Sequence, residues 1–264
     1  MRLAVTVFYA LPAWLLLVLA IAFAAALAVA GHVAIRRRFP RVDFRVHNEV
    51  AGIVLGVVGG LFAVTLAFII AIVWQEFDGT QQRVAIEGGA ASDLWHTARG
   101  LPAPLGPEVR ANMIAYADLM VNDEWPEMRQ GRSSARAEAL LTRTFEDVAR
   151  FRPGDAGASN AQQASLQYLG VLHDARHHRI QDNNSGVSPF EWTILTIGAV
   201  VIVVLCYLTG LPNFRTQLFM TGAVAGMIAA MFVLIYELDY PFRGDLAISP
   251  SSFEEFAASN RTNV

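Results

Sequence analysis

The chain has 264 residues, of which 54% fall in the set AVILMFWYC and only 16% are charged, against about 25% charged in an average soluble domain. The charges are segregated: residues 3–35, 50–74, 192–211 and 216–236 are nearly free of them, which excludes a single water-soluble core. The net charge of −3 comes from 23 acids against 20 arginines, with no lysine and no nucleic-acid footprint; the lone Cys206 excludes an intrachain disulfide and any cysteine-based metal cluster.

Crossing a hydrocarbon layer of about 30 Å takes about 20 apolar residues in a helix. Span one is expected at about residues 8–35, with Pro12 near its start. Its apolar run is too long for a signal peptide, and Arg36-Arg37-Arg38 follows as a stop-transfer flank. Span two is expected at 50–74, with Asn48 and Glu49 before it. They read either as its N-terminal cap or, in an oligomer, as a ring at a pore mouth.

Span two has two faces at 100° per residue. Gly52, Gly56, Gly59, Gly60, Ala63 and Ala67 share one side, and Val54, Val58, Leu61, Thr65, Phe68 and Ile72 share the opposite one. Small residues at this spacing let helix backbones approach closely in lipid. One reading is packing inside a four-helix bundle. The other places the bulky side on the axis of a homo-oligomer, where Leu61, Phe68 and Ile72 form a dewetting constriction.

Residues 75–188 form a polar insert with 11 Arg and 15 Asp or Glu, and every stretch reads as helix. The helix of span two continues to Gly100-Leu101-Pro102. A second starts after Pro107, with Val109, Met113, Tyr116 and Met120 as its stripe, and is expected to end at Glu124-Trp125-Pro126. A third follows Ser133-Ser134 with Leu141, Phe145 and Val148, and a fourth follows Ser159 with Leu166, Leu169, His173 and Ile180. His173, Asp174, His177 and His178 form the only histidine cluster. It reads as a satisfied interface histidine beside solvated ones rather than as a metal site, since nothing completes a ligand set.

Span three is expected at 192–211 and span four at 216–236, joined by a tight Gly210-Leu211-Pro212-Asn213 turn. Gly222 and Gly226 repeat the small-residue device in span four. Residues 189–239 thus form a second helix pair, matching the pair in 1–74. A tail from 240 to 264 carries an amphipathic stretch, Ser249–Ala258, with capping-box character and with Phe253 and Phe256 on one face.

Trp14, Trp74, Trp192 and Tyr236 mark the span ends. Arg36, Arg37, Arg38, Arg41, Arg45 and Arg215 lie in the two short loops on one side, which the positive-inside rule makes cytoplasmic. The polar insert and both termini then face outward.

Ionisable groups are absent from the centres of all four spans, which argues against proton-coupled transport and intramembrane proteolysis but not against a channel gated by apolar rings. Catalytic triad, HExxH, P-loop and dinucleotide-binding patterns are missing, so no enzyme and no cofactor is expected. The expected class is an all-α polytopic membrane protein. Its partners are the lipid bilayer, further copies of itself and small inorganic ions.

Several stretches carry a family resemblance: His47-Asn48-Glu49, Glu76-Phe77-Asp78 with Glu87, Leu101-Pro102, Glu124-Trp125-Pro126, and Leu238-Asp239-Tyr240-Pro241-Phe242-Arg243-Gly244. Together they resemble the bestrophin-like membrane proteins of bacteria over nearly the whole chain. Bestrophins are homo-pentameric anion channels whose second membrane helix lines the pore. The resemblance therefore implies an inner-membrane oligomer with span two on its axis. The chain departs from that pattern in two ways: Phe62 and Phe68 are not one turn apart, and no acidic calcium clasp maps onto it. Bestrophins keep the polar domain in the cytosol, whereas the arginine loops here place it outside. The alternative function is a membrane-anchored sensory or scaffold protein whose helical extramembrane domain binds a partner.

Overall fold

The structure, a computed structural model, describes residues 12–261. The described residues are helical throughout: α1 (Ala13–Arg38), α2 (Asn48–Thr97), α3 (Leu105–Leu119), α4 (Trp125–Met128), α5 (Ala135–Arg150), α6 (Ala156–Asp182), α7 (Pro189–Leu208), α8 (Phe214–Asp239) and α9 (Ser251–Asn260). α1, α2, α7 and α8 are long and apolar enough to cross a membrane. The chain forms two compact units. One runs to Gln75 and takes in Gly186–Tyr240 and Gly244–Leu246; the other comprises Glu76–Ser185, Pro241–Arg243 and the residues from Ala247 on.

In the first unit the helix ends follow local chemistry. Pro12 precedes α1, and its carbonyl accepts from Leu16 N at 3.0 Å. α1 stops at Arg38 because Phe39 precedes Pro40, and the residue before proline is pushed out of the helical region; Phe39 takes φ −123° and ψ 59°. The expected start of span one at residue 8 lies outside the described residues. Ser188 and Glu191 close a capping box at the start of α7, with Pro189 in the first turn. α7 ends at Leu208, three residues short of the expected Leu211, and Thr209 is already extended.

The closest helix packing in this unit is not between sequence neighbours, although α7 and α8 do meet, Trp192 edge-on to Phe232. α8 makes its most extensive contact with α1. A methyl group added at Gly222 would stand 3.3 Å from Val29 Cγ2, and one added at Gly226 would stand 3.1 Å from Ile21 Cγ2. Matched small surfaces, rather than chain order, decide which helices approach in an apolar solvent. α7 meets α2 by a similar device, since a Cβ on Gly198 would lie 2.5 Å from the ring of Phe62. Large side chains such as Trp14, Phe23, Leu27, Ile197 and Phe219 remain exposed along these helices. That is the surface a bilayer covers and water does not.

In the second unit the distal half of α2 packs with α3, α5, α6 and α9 around Leu94, Trp95, Met113, Tyr116, Leu169 and Phe253. Ser134 caps α5 by accepting from Ala137 N, and Asp155 caps α6 by accepting from Ala158 N. Three expectations are corrected here. The second insert helix does not end at Trp125: Met120–Glu124 forms a π-turn and helix continues to Met128. The wider turn relieves the clash a proline ring makes with the carbonyl one turn back, so Pro126 sits within helix. Phe145 lies outside the core, with Thr144 buried in its place. Finally, α9 begins after Pro250 with no side-chain cap. Its two phenylalanines turn into the bundle, Phe253 edge-on to both Tyr116 and Trp125.

Candidate functional site

The first 28 residues of α2 show three surfaces where the sequence displayed two. The side turned to its own chain is a stripe at helical spacing through Ala51, Leu55, Phe62, Leu66, Ile69 and Val73. Leu66 and Val73 are its most buried members, and Phe62 lies on Gly198. The glycine side faces away from this contact. A methyl group added at Gly52, Gly56, Gly59 or Gly60 meets nothing within 4 Å, and Ala63 is exposed. Among the described residues nothing packs closely on Gly52 or Gly56, Gly59 is half-buried and Ala63 is exposed, whereas Gly222 and Gly226 sit against α1.

The bulky side is also open. Leu61, Phe68, Ile72 and Val54 are exposed at 67, 66, 49 and 39%. Thr65 is exposed and donates its hydroxyl back to the Leu61 carbonyl at 3.0 Å, so the helix itself satisfies that polar group. Val58 departs from the set by being half-buried. Exposed Val57 and Val64 bridge the bulky and glycine sides.

Asn48 does not cap its own helix. Its Nδ2 donates to Gly210 O at 2.7 Å, and its Oδ1 accepts from Gly210 N at 2.8 Å. The side-chain amide thus pairs with the backbone as a neighbouring strand would, tying the start of α2 to the α7–α8 turn. A short 3₁₀ turn, Phe44–His47, precedes α2 and is capped by Asp43, which accepts from Arg45 N. Glu49 is exposed in the first turn of α2.

Arg36 organises the same end of the unit. Its Nη2 donates to Thr209 O at 2.5 Å and to Gln217 Oε1 at 3.2 Å, and its guanidinium lies 3.9 Å from the centre of the Phe44 ring. One turn back, His32 is fully buried, with Nδ1 3.0 Å from Thr221 Oγ1 and its ring edge-on to Tyr207 and Phe214. Sequence reading passed over His32 because it lies near the end of span one. The signal that finds it is Thr221, a polar residue on the face of α8 that also carries Gly222 and Gly226.

The polar unit holds a buried charge network that sequence reading missed. Arg179, fully buried on α6, grips Glu87 through Nε–Oε2 at 2.6 Å and Nη2–Oε1 at 2.9 Å, and reaches Glu124 Oε1 at 3.3 Å. Tyr116 donates to Glu87 Oε1 at 2.6 Å. Arg176 donates to Glu124 and Glu138 and to the Ser134 carbonyl, while Ser134 N donates to Glu124. Burial works against the charge on Arg179, but attraction from Glu87 and its hydrogen bond outweigh it, and its pKa rises. Burial and the Glu87 charge push the Tyr116 phenol well above its ordinary range.

The face of α6 turned inward runs through Ser165, Leu169, Leu172, Arg176, Arg179 and Asn183. His173 was expected on that stripe and is exposed, as are His177 and His178. The spacing was legible, but a stripe that ends in two arginines reads as solvated. The resembling motifs acquire roles here: Glu87 and Glu124 hold Arg179, and Trp125 lies 4.8 Å from its guanidinium and edge-on to Phe242.

Residues 22–253 match the profile of the bestrophin-like domain. A bacterial bestrophin homologue from Klebsiella pneumoniae with a single substitution is 14% identical, over 92% of this chain and 98% of that one, with a TM-score of 0.67. A structure of a Klebsiella pneumoniae bestrophin homologue phased on zinc is 16% identical, over 90% and 96%, with a TM-score of 0.67. A membrane protein with a proline-to-alanine substitution gives 15% identity, 90% and 96% coverage, and a TM-score of 0.68. Among curated proteins no sequence matches the chain. With its domain matched along most of its length and four membrane-length helices in place, the chain belongs to the bestrophin-like family of multi-pass membrane proteins.

Proposed function

We propose that the chain assembles into a homo-oligomeric ion channel, anion-conducting and pentameric by analogy with bestrophins, with α2 around the axis. The observation that carries this reading is the pair of open sides on one helix. Among the described residues nothing lies within 4 Å of a Cβ added on the glycine side of α2, and the bulky side, Val58 apart, is exposed although it is apolar but for Thr65. Seating the glycine side against the adjacent subunit lets backbones approach closely. Leu61, Phe68 and Ile72 then turn to the shared axis, as rings that pass ions only when wetted. Exposed Glu49 stands at the mouth on the arginine-loop side, with Asn48 bracing that end through Gly210; the positive-inside rule makes this side cytoplasmic, with the polar unit outside.

Chloride flux from liposomes carrying the purified protein, measured beside its mass in nanodiscs, tests this. A closed ring with flux above protein-free liposomes supports it. A monomer without flux, holding one stoichiometric soluble partner, supports instead an anchored scaffold.

A further inference from the structure

An open cleft of about 460 Å³ lies between the α1–α2 loop and the α7–α8 turn; its wall includes Arg36, Arg41, Arg45, Phe44, Leu211 and Phe214. Three arginines and one acid, Asp43, line it. Among the described residues none of these arginines makes an ion pair with a carboxylate, although ten such pairs form elsewhere in the chain. Asp43 spends a carboxylate oxygen on Arg45 N. Arg36 is held by carbonyl and amide oxygens and by the face of the Phe44 ring, and its buried Nε has no partner; Arg45 Nη2 reaches the Pro212 carbonyl at 3.5 Å. Arginines and apolar side chains thus share the lining of the cleft.

It sits at the ends of α1, α7 and α8, the level at which a bilayer presents its headgroups. We propose that it binds the phosphate of an anionic phospholipid. The arginines hold the phosphodiester, and Leu211 and Phe214 receive the glycerol and the start of the acyl chains. Arginine suits this task because its planar fork pairs with two phosphate oxygens at once. Basic clefts between membrane helices recognise headgroups in this way. A free phosphate ion would satisfy the arginines but leave the apolar part of the lining wet, which favours the lipid.

The test uses full-length protein in detergent, with phosphatidylglycerol, phosphatidylcholine and inorganic phosphate as probes. Native mass spectrometry reads retained lipid, and thermal unfolding reads protection. Phosphatidylglycerol should bind about tenfold or more tightly than phosphatidylcholine, since basic side chains near the surface favour anionic headgroups. The double variant Arg41→Gln/Arg45→Gln should lose that preference, whereas Arg38→Gln/Arg215→Gln, the same two-charge change outside the cleft, should keep it. Equal binding of the two lipids, an unchanged preference in the double variant, or equal protection by inorganic phosphate overturns the proposal. If the double variant does not fold, the wild-type comparison decides alone.

Discussion

Arg179 and Glu87 are 92 residues apart in the chain, and they meet in two charge-assisted hydrogen bonds with both side chains wholly buried. Two charges withdrawn from water stabilise little as a pair, but removing one leaves the other uncompensated. Glu87→Gln is therefore expected to cost about 3–5 kcal/mol. The double variant Glu87→Gln/Arg179→Met should recover part of that loss. Thermal unfolding of the three proteins in one detergent measures both effects.

Tyr116 donates into the same pair, and its pKa is raised by burial first and by the Glu87 charge second. The folded chain holds this proton more tightly than the unfolded chain does. The associated stability is complete below the ordinary phenol value of about 10 and is lost as pH rises through the higher folded value. In alkaline difference spectra, parent and Tyr116→Phe should superimpose through that ordinary range and part only above it. A difference already present near the ordinary value contradicts the buried assignment.

Asn48 makes two hydrogen bonds to the backbone of Gly210. Asn48→Ala should destabilise the fold by about 1–3 kcal/mol, since both backbone groups lose their partner. Asn48→Asp removes the donor to the Gly210 carbonyl and should also lower the unfolding temperature. If both variants melt with the parent, the tie is idle.

Glycines on two spans should answer differently to the same substitution. Gly226→Leu pushes into Ile21 of α1, and overpacking of this kind costs about 1–3 kcal/mol. Gly56→Leu starts from a Cβ position with nothing within 4 Å among the described residues. It should leave the melting of the isolated subunit unchanged while shifting the assembly to smaller species on sizing in detergent.

Much of this architecture was readable from residue order. Charge segregation located the four spans, and turn chemistry located the breaks at Pro102, Pro153 and Gly186. What escaped was partnership. Hydropathy says that α1 and α8 are apolar, not that Gly222 and Gly226 choose Val29 and Ile21 as neighbours. Periodicity placed Leu169 on the inner face of α6 but set exposed His173 beside it, and could not show that Arg176 and Arg179 belong there, because their acids arrive from distant helices. On span two a two-sided pattern was visible. The third side, through Phe62, Leu66 and Val73, emerges only once α7 is in place.

Whether the bulky side of α2 borders an ion path is tested most directly by thiol modification during current recording. In a Cys206→Ser background, Leu61→Cys and Phe68→Cys are introduced singly into protein reconstituted in planar bilayers. The account predicts that a charged water-soluble thiol reagent changes the anion current of both variants and leaves the background protein unaffected. A current indifferent to the reagent at both positions, or no current from any of the three proteins, contradicts it.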